Sequence, residues 1–236
     1  MKLDAVVVAA HPDDAEISVG ATILRLVRAG RRVGIIDVTR GELGTRGDRA
    51  TRDRETAAAN EVMGIAERTN LELPDGRVEV TVAARERLAG LLREWQPELV
   101  LAHHLDDLHP DHAASGRLAR EAWYLAGLKR LAELAGGSDA HRPRRLYHFM
   151  GHVPFDPTFV VDATGVWEDK LRLVRCYASQ LTPEDASDDG SHFLFGADIV
   201  ARVETKARYW GERIGTAYGE PLLHLGPVPF SDPLLP

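Results

Sequence analysis

The sequence predicts an α/β fold, a Rossmann-like three-layer sandwich with a mostly parallel sheet and helices on both faces. Three observations predict it. Short apolar runs rich in Val, Ile and Leu alternate with longer stretches whose apolar residues recur at helical spacing. The order strand, helix, strand, helix holds through the first half of the chain, and parallel strands need such crossovers. Two polar turns built from His and Asp, at 11–14 and 109–112, each stand where an apolar run gives way to a helix.

In chain order, Leu3 to Ala9 reads as a short buried strand. Ile17, Ala21, Leu24 and Val27 then mark a helix that Gly30 closes. Arg32 to Val38 is the second strand, and it releases a loop, Thr39 to Asp48, whose three glycines at 41, 44 and 47 separate Arg40, Glu42 and Arg46. Thr51 is expected to cap the next helix, with Ala58 and Val62 on its apolar face and Gly64 as its stop. Arg52 lies in the first turn, where a positive charge is disfavoured, so it either reaches into a pocket or faces solvent.

A third strand spans Thr69 to Leu73 and ends at the turn Pro74-Asp75-Gly76. Leu88, Leu91, Leu92 and Trp95 define a helix that ends at Pro97. Leu99 to Ala102 is a strand that delivers His103, His104 and the polar cluster from Asp106 to His112. The helix from Asp111 passes Leu118, Ala122 and Leu125 toward Leu134, and Gly136-Gly137 breaks it. Arg142, Arg144 and Arg145 precede a strand from Leu146 to Met150, and Phe159 to Asp162 is another. Thr164 caps a helix to Tyr177, Ser179 to Ser191 reads as a mobile loop, and five prolines after Gly219 make the end of the chain extended.

At 236 residues and 44% hydrophobic composition, the chain suits one domain, 1–236, with a sizeable core. A formal net charge of −7 without a basic run argues against a nucleic-acid or anionic-membrane partner and for a small molecule. Cys176 is the single cysteine, so no intrachain disulfide forms, and a buried thiol is expected. The first apolar run is too short to span a membrane and no cleavage site follows it, which points to a cytoplasmic protein.

The turn His11-Pro12-Asp13-Asp14 falls at the carboxyl end of the first strand. Open α/β sheets bind ligands along that edge, where loops diverge and helix amino termini converge. His11 and Asp14 offer an imidazole and a carboxylate that reach one zinc ion at roughly 2.0 to 2.2 Å. The 106–112 cluster supplies candidates for a third ligand, because two parallel strand ends lie side by side. Two His and one carboxylate leave a position open for water, and Asp13 then stays free as a base. Either cluster alone also reads as a helix cap; their recurrence at two strand ends favours a site.

Ala10-His11-Pro12-Asp13-Asp14 with His109-Pro110-Asp111-His112 resembles the paired signature of the zinc-dependent N-acetylglucosaminyl deacetylases, the PIG-L or LmbE-like family. Within it, Thr39 to Gly47 resembles the branch that deacetylates N-acetylglucosaminyl malate in bacillithiol biosynthesis. The likeness continues through Ala126-Gly127-Leu128, Phe159-Val160-Val161-Asp162, Tyr177-Ala178-Ser179-Gln180 and Ala207-Arg208-Tyr209-Trp210-Gly211 to Tyr218-Gly219-Glu220, nearly the whole chain.

The resemblance implies His11, Asp14 and His112 as zinc ligands; the sequence itself leaves the metal open, since the same donors suit Fe2+ or cobalt. It implies Asp13 as the base and His109, as an imidazolium, as the donor to the oxyanion or to the leaving amine. Asp111 would orient His109 or cap the helix. Substrate contacts fall on Glu42, Arg46, Arg52, Asp75 and Arg142, the last reaching a neighbouring subunit of a homo-oligomer, a hexamer on the family's pattern. Malate is a dianion, and arginine forks pair well with carboxylates, so Arg46, Arg52 and Arg142 are its expected partners. Leu108 stands where this branch commonly has arginine. The rival readings are a deacetylase or amidase of the same family acting on another N-acetylglucosamine or thiol conjugate, and a non-catalytic Rossmann-like binding module. The second is disfavoured because the first turn lacks Gly-x-Gly-x-x-Gly.

Overall fold

The computed structural model describes residues 1–44, 48–181 and 199–228. Strands β1 (Ala5–Ala9), β2 (Val33–Asp37), β3 (Glu67–Asn70), β4 (Leu99–His103), β5 (Arg145–Phe149), β6 (Phe159–Asp162) and β7 (Gly219–Leu223) form one sheet in the order β3-β2-β1-β4-β5-β7-β6. The strands β1 to β5 are parallel, and β7 runs antiparallel to both β5 and β6. The mostly parallel sheet and its covering helices match the expected α/β architecture.

The helices are α1 (Asp14–Arg28), α2 (Arg49–Met63), α3 (Val82–Trp95), α4 (Pro110–Ala126), α5 (Lys129–Ala135), α6 (Trp167–Arg175), α7 (Ala178–Leu181) and α8 (Ile199–Glu212). Successive strand residues face opposite sides of the sheet, and the five-residue run of β1 shows how both sides are filled. Ala5, Val7 and Ala9 pack with α1, α2, α6 and α8 residues such as Ile23, Met63, Leu173 and Val203. Val6 and Val8 pack on the other side with Leu88 and Leu92 of α3 and Leu118 of α4. A strand buried on both faces has no polar period, and each fully buried Val, Ile or Leu side chain contributes roughly 1.5 to 3 kcal/mol.

The chain turns from β1 to β2 on one side and pairs β1 with β4 on the other, in the register Val8 to Ala102. The crevice therefore opens beyond the ends of β1 and β4, where the direction of winding reverses. Because β7 is antiparallel, its first residues, Gly219 to Pro221, face that same edge.

Several boundaries differ from expectation for local reasons. Asp48 caps α2 by accepting from the Thr51 N–H at 2.8 Å, so Thr51 sits inside the first turn. The long helix after His112 breaks at Gly127, over which Arg142 crosses; a Cβ there would stand 2.7 Å from the Arg142 Cβ. Thr164 opens a single 3-10 turn, and its hydroxyl accepts from the Ala217 and Tyr218 N–H groups instead of capping a helix. The start of the proline-rich end is strand β7, and α8 is a further helix before it. Residues 182–191 of the expected mobile loop lie outside the described residues. Cys176 is half-buried, its thiol near the Arg172 carbonyl. Among the described residues no helix is long and apolar enough to cross a membrane.

Candidate active site

Two strand-to-helix turns meet at the crevice. After β1, Asp13 adopts φ 126° and ψ −28°, a strained conformation for a side chain other than glycine. Although it occupies the N-cap position of α1, its side chain makes no cap hydrogen bond, so its carboxylate points elsewhere. After β4, His109 caps α4, and Pro110 occupies the first helical turn, where its missing N–H costs nothing. Gly116 lets α4 lie close against the end of β4, since a Cβ there would meet the His103 carbonyl oxygen at 2.5 Å. That approach carries His112 to the end of β1.

One donor atom from each of His11, Asp14 and His112 lies within 4.8 Å of the others. Asp14 Oδ2 is 3.3 Å from His11 Nδ1, and Asp14 Oδ1 is 3.3 Å from His112 Nε2. Asp14 also accepts from the His11 N–H at 2.8 Å and faces the buried His103 Nε2 at 3.2 Å. Burial opposes its charge, but the adjacent His112 and His103 hold its carboxyl well below the usual range. Two imidazoles and one carboxylate on a water-accessible cavity are the donor set of a catalytic zinc site. The residues fit a divalent cation of that kind.

Around this trio stands a set of orienting contacts. Asp107 Oδ1 lies 3.2 Å from His112 Nδ1 and 2.9 Å from His152 Nδ1, and its two oxygens also accept from the N–H groups of His109 and His152. These bonds overcome burial and hold the Asp107 carboxyl far below its ordinary value. Asp107 thereby fixes His112 with Nε2 turned to Asp14, as a carboxylate behind a metal-ligating histidine does. Desolvation works against charge on His112, yet Asp14 and Asp107 raise its pKa to about 9, so a cation binding there displaces a proton.

Asp13 Oδ2 is 3.3 Å from Arg52 Nη1, and Arg52 Nη2 donates to the Pro12 carbonyl at 2.6 Å. Burial pushes the Asp13 pKa up to about 7, against the pull of the Arg52 guanidinium. Arg52 is 6% exposed, so of its two expected orientations the structure places it inside the pocket. His109 Nδ1 accepts from the Asp111 N–H at 3.2 Å, which leaves Nε2 to carry the ring's proton. Burial and the nearby charges of His112 and His11 lower its pKa, which disfavours the imidazolium that was expected.

The Asp111 side chain neither orients His109 nor caps α4. It accepts from the Gly76 and Val78 N–H groups at 2.6 and 3.1 Å and stands 3.3 Å from His11 Nε2, pinning the turn after β3 to His11. Asp75 shares that nitrogen at 3.1 Å and accepts from the Leu43 N–H. Glu42 is exposed, and its carboxylate accepts from the Asp75 N–H at 2.9 Å, tying one loop to the other. Arg46 lies outside the described residues. Arg142 is not at the pocket of its own chain: the loop before β5 lies at the opposite sheet edge, where its guanidinium stacks 4.5 Å from the Tyr124 ring. Leu108 is 54% exposed.

The cavity holds about 480 Å³. One wall is the His and Asp cluster; the other is built by Ile17 of α1, Lys170 of α6, Val203 and Lys206 of α8, and Glu220 of β7. Sequence reasoning missed Asp107, His152, Lys206 and Glu220. His152 follows β5 by three residues, so the rule that parallel strand ends carry the site was a usable signal for it. Lys206 and Glu220 depend on the antiparallel return of β7, for which the sequence carried no local sign.

A family model described as PIG-L, GlcNAc-PI de-N-acetylase, matches residues 6–123. The chain is 30% identical over 222 residues to the diacetylchitobiose deacetylase of Thermococcus kodakarensis, covering 89% of this chain and 78% of that enzyme. The chain belongs to the PIG-L family. The crystal structure of a conserved protein from Thermus thermophilus superposes on this PIG-L protein with a TM-score of 0.85 at 36% identity, over 97% of each chain. The 4-oxalmesaconate hydratase of Pseudomonas putida is 29% identical over 196 residues, 75% of this chain and 73% of the hydratase. This PIG-L protein is thus related to enzymes that remove acetyl groups and to one that adds water.

Proposed function

We propose that the enzyme removes the N-acetyl group from an N-acetylglucosamine conjugate, releasing acetate and the free amine. N-acetyl-α-D-glucosaminyl L-malate, the bacillithiol precursor, is the proposed substrate. One observation carries the reading. The donor atoms of His11, Asp14 and His112 converge within 4.8 Å, beside a half-buried Asp13 carboxylate that makes no cap hydrogen bond.

His11, Asp14 and His112 would hold a zinc ion, which would supply a Lewis acid for the amide carbonyl and a water whose pKa falls from about 15.7 toward about 7. Asp13, with its pKa near neutrality, accepts the proton of the attacking water and returns it to the departing amine. Arg52 holds the Asp13 carboxylate in place through Nη1. The His109 Nε2–H donates to the oxygen that becomes negative as water adds to the carbonyl. Asp75 and Asp111 fix His11, and Asp107 fixes His112, so the ligands are oriented before a metal binds. The proposal includes a cytoplasmic homo-oligomer, in which Arg142 serves a neighbour's pocket.

The test is metal analysis coupled to amine release from N-acetylglucosaminyl malate, free N-acetylglucosamine and an amide-linked thiol conjugate. Zinc at one equivalent and fastest release from the malate conjugate are expected. Faster release from either other compound reassigns the substrate within the family. Protein that binds no metal and releases no acetate after zinc is added is a binding module instead.

A further inference from the structure

Of the expected anion-binding arginines, Arg46 lies outside the described residues. Arg52 is committed to Asp13 and the Pro12 carbonyl, and Arg142 lies at the other edge of the sheet. A different cation occupies the cavity wall. Lys206 of α8 donates from Nζ to the Gly151 carbonyl at 2.6 Å, and among the described residues no carboxylate lies within ion-pair distance of it. Its pocket neighbour Lys170 differs, being neutralised by Glu220.

Gly151 is the reason this ammonium stands so close to the chemistry. A Cβ at that position would be 2.2 Å from Asp107 Oδ2 and 3.3 Å from His112 Nδ1, so only glycine lets the backbone, and the lysine bonded to it, come this near the ligand cluster. Lys206 is exposed as a whole residue and lines the cavity. Loss of water there, with Lys170 nearby, lowers its pKa to about 8. Asp107 attracts it from a distance, but both Asp107 oxygens are already engaged by His112, His152 and two backbone N–H groups. An ammonium that faces a ligand cavity, with one hydrogen bond and no counter-ion among the described residues, is a site for an anion.

We propose that Lys206 binds an anionic group, carboxylate or phosphate, carried on the aglycone next to the N-acetylated sugar. The assignment rests on the deacetylase reading for the identity of the sugar. It narrows the substrate class to conjugates with a negative charge near the reducing end. Lys206 then supplies a positive partner that an acidic protein needs at this pocket.

The test compares three ligands of the zinc-loaded protein by calorimetry: N-acetylglucosaminyl malate, N-acetylglucosamine 1-phosphate and the neutral methyl glycoside. Binding is measured in the Asp13→Asn background to prevent turnover, with and without Lys206→Gln. At least one anionic ligand should bind about 10- to 100-fold more tightly than the methyl glycoside, and the malate and phosphate arms identify which anion is preferred. Lys206→Gln should bring that ratio close to one, and Lys206→Arg should restore most of it. A preference that survives Lys206→Gln, equal loss for all three ligands, or equal or undetectable binding from the start overturns the assignment. A Lys206-dependent preference in a protein that releases no acetate refutes the deacetylase reading alone. Acetate release without any preference refutes Lys206 alone.

Discussion

Replacing Glu220 with leucine should destabilise the protein by about 4 kcal/mol, and the reason is visible in α1. That helix departs from helical geometry at Val19 (φ −133°, ψ 20°), so the N–H groups just beyond the kink lack partners from the preceding turn. Glu220, 2% exposed on β7, accepts from the Ala21 N–H at 2.9 Å, the Thr22 N–H at 2.7 Å and the Thr22 hydroxyl at 2.6 Å. It also pairs with buried Lys170. Glu220→Leu leaves that ammonium buried and alone, which costs about 3 to 5 kcal/mol, and strands N–H groups worth about 1 to 3 kcal/mol each unless they find other partners. A loss of about 4 kcal/mol corresponds to a melting point lower by roughly 8 to 16 °C in a chain of this size. Thermal and urea denaturation read the effect, with the urea slope unchanged. Adding Lys170→Met should recover about half, because the stranded charge is removed along with its partner. A single variant that loses less than about 1 kcal/mol, or a double variant no more stable than the single, would refute the reasoning.

Three further outcomes follow from the same geometry. Asp13→Asn should retain zinc by metal analysis while kcat falls about 100- to 10,000-fold; near-normal turnover would remove Asp13 as the base. Asp107→Ala should weaken zinc affinity about 10- to 100-fold in a chelator competition, with the fold intact by circular dichroism; unchanged affinity would mean His112 needs no carboxylate behind it. His148, fully buried and bonded through Nδ1 to the His103 carbonyl, has its pKa lowered to about 4, chiefly by burial. The unfolded chain therefore binds this proton first as pH falls. The stability that neutral His148 allows is complete above about pH 6.5 and declines down to about pH 4, by at most about 3 kcal/mol. His148→Gln should flatten that decline when unfolding is measured from pH 7.5 to 4.5; an unchanged slope would assign the acid sensitivity elsewhere.

The parallel half of the sheet was legible because its strands are buried on both faces and its helices carry a clear stripe. Leu88, Leu92 and Trp95 in α3 and the Val-rich β1 needed no tertiary information. The boundary errors arose where polar side chains chose between neighbours. Asp48 and Thr51 are both good caps, and only the path of the loop selects Asp48. The meeting of the two His and Asp turns was inferable from parallel strand ends. The second layer was not: Asp111 turning to Gly76 and Val78, and His109 capping α4, depend on how the β3 turn folds over the cluster. The α8 wall was least legible, since it packs beside an antiparallel strand whose place is set by pairing with β5 and β6 and by the Glu220 bond to α1, none of them local in sequence.

The backbone at Asp13 also bears on how this chain evolves. With φ at 126°, the position suits glycine, and Asp13→Gly would relieve on the order of 1 kcal/mol of strain. The same change deletes the carboxylate beside the ligand cluster. Under the proposed function, backbone strain and the proton transfer assigned to Asp13 therefore favour different residues at this one position.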